Sequence, residues 1–276
     1  MTFSYDVFVL TYFAFPKAHN MNISGEEKVN WLSKILLEVG ALLMSSGANS
    51  SRIRITINRI AGAYGFDVDL LITHRALTLT IYDEAQDFFF SRLKRTSPHG
   101  ANFRMVSGIS RMSWRIVEEN WSLEQVEQEL ERLKSLSPYP RLVVLMMVSA
   151  AGAAFCRLFG GVYIELLVTF VATFLGLFVR QEAVKKSFNP YLSIFFAAFV
   201  SSMIAGMALK LQIGANPEYA FATSVLYLIP GIPLINSISD LLDGNIMNGI
   251  VRGVNGLMIS FAIALGMLGS ILIYGI

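Results

Sequence analysis

A single cysteine, Cys156, in 276 residues excludes an intrachain disulfide. Histidine is nearly as scarce: His19, His74 and His99 are scattered through the first half, and no spacing suits a metal ion. The phosphate-cradling string G-x-x-x-x-G-K-[ST] is absent, so the chain carries no ATP site of that kind. A net charge of +2, with basic residues interleaved among acids, leaves no footprint for nucleic acid. The soluble half shows neither paired catalytic carboxylates nor a nucleophile–base pair, because the acids from Glu124 to Glu131 simply alternate with apolar positions on a surface helix. No catalytic residue, metal or cofactor is expected, and the chain does not read as an enzyme. The early apolar run Val7 to Phe15 is too short to span a bilayer and lacks a basic flank. Residues 1–23 therefore read as a peripheral tail, not a signal peptide.

Charge is what the second half lacks. Of the 22 Lys and Arg only seven lie beyond residue 140, and of the 20 Asp and Glu only five do. The whole chain is 54% apolar with a mean hydropathy of +0.54. That asymmetry predicts a soluble, charge-balanced domain over residues 24–138 and a membrane-embedded bundle over residues 141–276. The fold class is thus an α-helical integral membrane protein, with about five transmembrane helices preceded by a cytoplasmic α+β domain.

In the soluble half, Ser24-Gly-Glu-Glu27 has the form of a capping box. Trp31, Ile35, Leu36, Val39, Leu42 and Leu43 form the stripe of the helix that follows, which Gly47 and Asn49 end. A second helix, from about Ser51 to Tyr64, alternates Ile53, Ile57 and Ile60 with Arg52, Arg54 and Arg59, and Gly65 closes it. Those arginines read as a solvated face, with an anionic ligand as the second reading. The period then changes to two: Phe66–Thr73, Ala76–Tyr82 and Asp87–Leu93 read as a small antiparallel sheet. Helical period returns over Phe103–Glu119. Ser122-Leu-Glu-Gln125 caps a charged helix to about Ser135, before Pro138 and Pro140.

Five apolar segments follow, at about 142–159, 161–179, 190–209, 219–239 and 247–275, each near the roughly 20 residues that a spanning helix needs. Arg132, Lys134 and Arg141 precede the first, and Arg180, Lys185 and Lys186 follow the second; the opposite side has mainly Arg157 and Lys210. By the positive-inside rule the soluble domain is cytoplasmic, and an odd span count puts the C-terminus outside the plasma membrane.

The fourth segment is broken. Leu228-Ile-Pro-Gly-Ile-Pro-Leu-Ile-Asn-Ser-Ile-Ser-Asp240 sets Pro230, Gly231, Pro233, Asn236 and Asp240 in an otherwise apolar stretch. Broken backbone in lipid is tolerated where it is buried in protein or lines a watery cavity, which is how many transporters build a substrate site; a structural kink is the plainer reading. Arg252 lies about 9 Å into the fifth segment, where a guanidinium requires a partner or a cavity, and Asn255 follows on the same face. The short connection lets Asp240 pair with Arg252, whereas Asp243 reads as a solvated helix-end carboxylate. Glu165 reads as an interfacial carboxylate and Cys156 as a packing residue. Gly249-x-x-x-Gly253 and the small residues Ser149 to Ala154 fit close helix contacts.

Pro230-Gly-Ile-Pro-Leu-Ile-Asn236, Asp240, Gly244, Gly249 and Arg252, preceded by a domain with Ser46-Gly-Ala and Arg52-Ile on its second helix, resemble the threonine/serine exporter family, from about residue 30 onward. The likeness is closest to its split, two-component branch, whose large subunit is a proposed succinate exporter. Arg54 departs from the family's pattern, where an acid is common. The resemblance implies a secondary exporter of small hydrophilic metabolites. Its single-chain members carry a second membrane domain, which implies a separate small membrane subunit here. The substrate-binding residues expected are Pro230, Gly231, Pro233, Asn236, Asp240, Arg252 and Asn255. A zwitterion such as threonine or serine fits Asp240 with Arg252 or a half-helix N-terminus, and is preferred. Succinate is the alternative, requiring more positive charge than this bundle shows unless the partner brings it. A membrane-tethered sensor or scaffold, with its pocket in the soluble domain, and a membrane enzyme built on Asp240 and Asp243 remain as other classes.

Overall fold

The computed structural model describes residues 25–83, 88–96, 100–137 and 139–276. The apolar run at Val7–Phe15, the Ser24 half of the first capping box, His19, Asp87, His99 and Pro138 lie outside them. Two compact units divide between Leu136 and Ser137.

In the first unit α1 (Gly25–Ser45) buries Val29, Leu32, Leu36, Val39 and Leu43, the stripe that i, i+3, i+4 spacing makes. α2 (Ser50–Ala63) is capped by Asn49, which accepts from the Arg52 amide at 2.9 Å; Gly65, at φ +80°, follows its end. β1 (Asp67–Thr73), β2 (Ala76–Asp83) and β3 (Phe88–Arg95) form an antiparallel meander. Leu77, Leu79 and Ile81 alternate toward the helices, and the β-carbon direction of Gly40 on α1 runs into Leu77, so α1 lies directly on the sheet. The third strand runs two residues past the expected Leu93 because Ala76 pairs with Arg95. α3 (Phe103–Glu119) and α4 (Leu123–Lys134) complete the unit, and the Ser122/Gln125 capping box forms as the sequence indicates.

The arginine face of α2 is not simply solvated. Arg54 donates to the Leu70 carbonyl at 3.0 Å, and Arg59 stacks 3.9 Å from the Trp114 ring while donating to Ser113 Oγ at 2.9 Å. Burial pushes the Glu38 carboxyl up, but the hydrogen bonds and charges of Lys134 and Lys94 outweigh it and hold the group below the ordinary carboxylate range.

The second unit consists of α5 (Arg141–Leu158), α6 (Tyr163–Lys185), α7 (Pro190–Lys210), α8 (Pro217–Thr223), a 3-10 turn (Leu226–Leu228), α9 (Gly231–Leu242) and α10 (Ile246–Tyr274). Among the described residues four helices, α5, α6, α7 and α10, are long and apolar enough to cross a membrane. A fifth span results if α8 with the 3-10 turn and α9, bent by 59° at the break, count as one. Gly160, at φ +101°, makes the tight α5–α6 turn.

Hydroxyls and glycines set how closely these helices approach. Gly206 faces Ser270 and Tyr274, Gly266 faces the backbone of Phe195 and Phe199, and Gly152 faces Thr173. α10 runs parallel to α7, with Asn255 beside Tyr191 at one end and Tyr274 beside Lys210 at the other. Cys156 is fully buried in a packing position, with its sulfur against Gly161.

Two glycines should respond in opposite directions to alanine. A β-carbon at Gly266 would lie 2.7 Å from the Phe195 carbonyl and 2.9 Å from the Phe199 amide, backbone atoms that cannot step aside. Gly266→Ala should cost about 1–3 kcal/mol. At Gly62, inside α2, a β-carbon meets nothing within 4 Å, and Gly62→Ala should stabilise by about 0.5–1 kcal/mol. Chemical unfolding of the detergent-solubilised chain, followed separately in each unit, reads both changes; a neutral Gly266→Ala would contradict the α7–α10 contact.

Candidate functional site

Pro230 has no amide hydrogen to donate, and the chain turns at it: the 3-10 turn ends on Leu228, Gly231 N–H bonds back to the Ile229 carbonyl at 2.9 Å, and α9 starts without a side-chain cap. Pro230 is buried, while Gly231 and Pro233 are half-buried in the first turn of α9. α9 then descends antiparallel to α10. Leu234 packs on Gly256, Ser237 donates to the Gly249 carbonyl at 2.7 Å and lies against Gly253, and Leu241 packs on Gly249. The Gly249 and Gly253 pair thus serves contact within the chain, between α9 and α10.

At the far end of α9, Asp240 is fully buried and pairs with Arg252 Nε at 3.3 Å; the arginine side chain is 11% exposed. Asp243, by contrast, is exposed at the helix end. Asn255, one turn beyond Arg252, accepts from the Tyr191 hydroxyl at 2.9 Å, and Asn236 is half-buried one turn before Asp240. Tyr191 is the second residue of α7, so Arg252 lies level with the start of that helix, not with its middle. Asp240 lies nine positions after Gly231 along α9, roughly 13 Å at the helical rise. The seven residues expected to share one site therefore occupy two places: Pro230, Gly231 and Pro233 at the break, and Asp240, Arg252 and Asn255 toward the α9–α10 turn, with Asn236 between.

A second polar line, missed in the sequence, runs along α6 against the broken helix. Glu165, read as an interfacial carboxylate, stands in the first turn of α6 with its side chain wholly buried, accepting from its own N-cap amide at Val162 (3.1 Å) and from the Asn216 amide at 2.8 Å, just before α8. Gly214, at φ +106°, leaves the room for that carboxylate: a β-carbon there would fall 2.4 Å from Oε1. Next along the stripe, Thr169 bonds Thr223 at 3.2 Å and Thr173 points at the Ser224 carbonyl at 3.4 Å. At Gly176 the Ser201 hydroxyl and Tyr227 hydroxyl meet, 3.1 Å apart, in the space a side chain would take. Arg180 follows, one turn beyond Gly176 on the same face of α6 and half-buried. Glu165, Thr169, Thr173, Gly176 and Arg180 recur at four, four, three and four residues, a helical period hidden by the apolar residues between them.

Comparison with known proteins gives the following. The family described as "Putative threonine/serine exporter" matches residues 34–274. The "Probable succinate transporter subunit YjjP" of Klebsiella aerogenes is 28% identical over 247 residues, which cover 89% of this chain and 95% of that protein. Its Escherichia coli namesake is 28% identical over 254 residues, 91% and 97% of the two chains. The "Threonine/serine exporter" of Corynebacterium glutamicum is 22% identical over 257 residues, 89% of this chain but only 52% of the exporter. No solved structure matches the chain.

The Asp240–Arg252 pair has a measurable signature. Arg252→Ala leaves a fully buried carboxylate facing a vacated guanidinium site, and should cost about 3–5 kcal/mol. Asp240→Asn combined with Arg252→Gln removes both charges and should recover most of that loss. Thermal unfolding of the two variants in detergent checks it; a double mutant as unstable as the single would show that the two side chains are not coupled.

Proposed function

The chain belongs to the threonine/serine exporter family, and on that premise we propose that it is one subunit of a secondary exporter that moves a small hydrophilic carboxylic acid across the plasma membrane. The observation that carries the reading is the break at Ile229–Pro230. A helix bent by 59° inside an apolar bundle, faced by buried hydroxyls from α6 and α7, is the form in which transporters expose polar backbone to a solute.

For substrate, a dicarboxylate of the succinate class comes first and threonine or serine second. The reversal from the sequence reading has two supports. The relatives matched over nearly their whole length are the succinate transporter subunits, and α6, running on past the second apolar segment to Lys185, adds a half-buried guanidinium, Arg180. The word "subunit" in those relatives' names supports a second, small membrane protein as partner. Asp240, Arg252, Asn255 and Asn236 then handle substrate or a coupled proton near one mouth of the path, while Pro230, Gly231 and Pro233 shape the break. An export role leaves no need for enzymatic chemistry, and the soluble unit is read as cytoplasmic with the C-terminus outside.

Three experiments test this. In vesicles carrying the chain with its co-purifying membrane partner, labelled succinate should leave faster than threonine or serine, and the chain alone should export none of them. The Asp240→Asn, Arg252→Gln double mutant should reach the membrane folded yet fail to export; normal export by it would remove both residues from the site. For orientation, alkaline phosphatase fused at the C-terminus should be active outside the cell and inactive when fused after Ser187. Activity at the internal fusion would reverse the topology.

A further inference from the structure

The arginines of the bundle are accounted for one by one, except Arg180. Arg141 holds Glu182 and Gln181, Arg157 donates to the Gly161 carbonyl at 3.1 Å, and Arg252 pairs with Asp240. Among the described residues no carboxylate lies within ion-pair distance of Arg180 and no hydrogen bond holds it. Arg180 lies in the last two turns of α6, level with the start of α5, and a half-buried guanidinium there without a counter-charge is available to an anionic ligand.

Its surroundings fit one ligand chemistry. Gly176 sits one turn before Arg180 on the same face of α6, and over Gly176 lie the hydroxyls of Ser201 from α7 and Tyr227 from the 3-10 turn. Ser201 spends its proton on the Ala172 carbonyl at 3.0 Å, so in its 3.1 Å contact with Tyr227 it is the acceptor and Tyr227 the donor. The tyrosine proton can swing from Ser201 to an incoming oxygen without leaving Ser201 unbonded. One planar, fork-shaped cation and one movable O–H, three residues before Pro230 and the uncapped start of α9, are what a carboxylate requires. Neither hydroxyl could be there with a side chain on residue 176, where a β-carbon would fall 1.9 Å from Ser201 Oγ and 2.4 Å from Tyr227 Oη.

We propose that Arg180, Tyr227 and Ser201 form a carboxylate-binding subsite at the helix break, separate from the Asp240–Arg252 pair, that receives a carboxylate of the exported acid. This rests on the export reading above. Arg180 supplies the charge and two N–H donors, Tyr227 donates its O–H, and Ser201 holds the tyrosine in place when the subsite is empty. Because every acid considered, succinate, threonine or serine, has at least one carboxylate, the subsite serves any of them; a second carboxylate or an ammonium is then read elsewhere along the path. A lipid phosphate offers similar anionic oxygens to a guanidinium, and the test separates the two sources.

The chain with its co-purifying partner is reconstituted in phosphatidylcholine alone and in phosphatidylcholine with phosphatidylglycerol, and the half-saturating concentrations for succinate and threonine efflux are measured. Arg180→Gln should raise that concentration for the exported acid by on the order of tenfold or more in both lipids, Tyr227→Phe by severalfold, and Arg180→Lys should recover part of the loss. Dimethyl succinate and threonine methyl ester, whose carboxylates are masked, should not compete. Unchanged half-saturation in Arg180→Gln while the unmutated protein exports would overturn the subsite and leave the export reading standing. An Arg180 effect seen only with phosphatidylglycerol would assign the residue to lipid and also overturn it. Should Arg180→Gln not fold, as judged by size-exclusion chromatography, Tyr227→Phe decides alone, since it removes one oxygen only. Failure of the unmutated protein to export either acid would sink the export reading and the subsite together.

Discussion

A peptide group that loses its helical partner within hydrocarbon must find another inside the protein, because the lipid offers none, and this requirement organises the whole second unit. Pro230 removes one donor and turns the chain, so the segment from Pro217 to Leu242 cannot sit against lipid as a plain helix. Its ends are instead held from neighbouring helices. Glu165 on α6 accepts the Asn216 amide at the start of α8, Thr169 and Thr173 meet Thr223 and Ser224 at its end, and α9 is tied to α10 through Ser237 and the Asp240–Arg252 pair. The buried hydroxyls of Thr169 and Thr173 on α6 thus have their partners where the chain leaves α8 for the break.

Close approach is the second requirement, and glycine supplies it. Without hydrophobic driving force between helices in lipid, contact depends on van der Waals packing and short polar bonds, both of which small residues permit. Gly176 admits Ser201 and Tyr227, Gly249 and Gly253 admit Ser237, and Gly214 admits the Glu165 carboxylate. In each case a glycine stands opposite a polar group, so the positions that look like mere packing also decide where polarity can lie inside the bundle.

Much of the architecture was legible in the chain itself. The collapse of charge beyond residue 140, the period-two run around Leu77, Leu79 and Ile81, the Ser122 capping box and the proline break each act over a few residues, and the structure places its elements accordingly. The candidate pairing of Asp240 with Arg252 was legible too, since a short connection between two helices leaves little choice of partner. Arg54 and Arg59 were less so: a helical period shows which face is polar, but not that Leu70 and Trp114 wait there to receive it.

By itself, then, the sequence determined the membrane class and the broken fourth segment, because composition, periodicity and proline act locally. Only the tertiary structure decided that the break and the Asp240–Arg252 pair lie at opposite ends of α9, that Glu165 is buried, and that Ser201 and Tyr227 meet over Gly176, one turn before Arg180. Glu165 and Asn216 are 51 residues apart in the chain. Contacts at that range depend on which helix faces meet and how near the glycines let them come, and no short stretch of sequence encodes either.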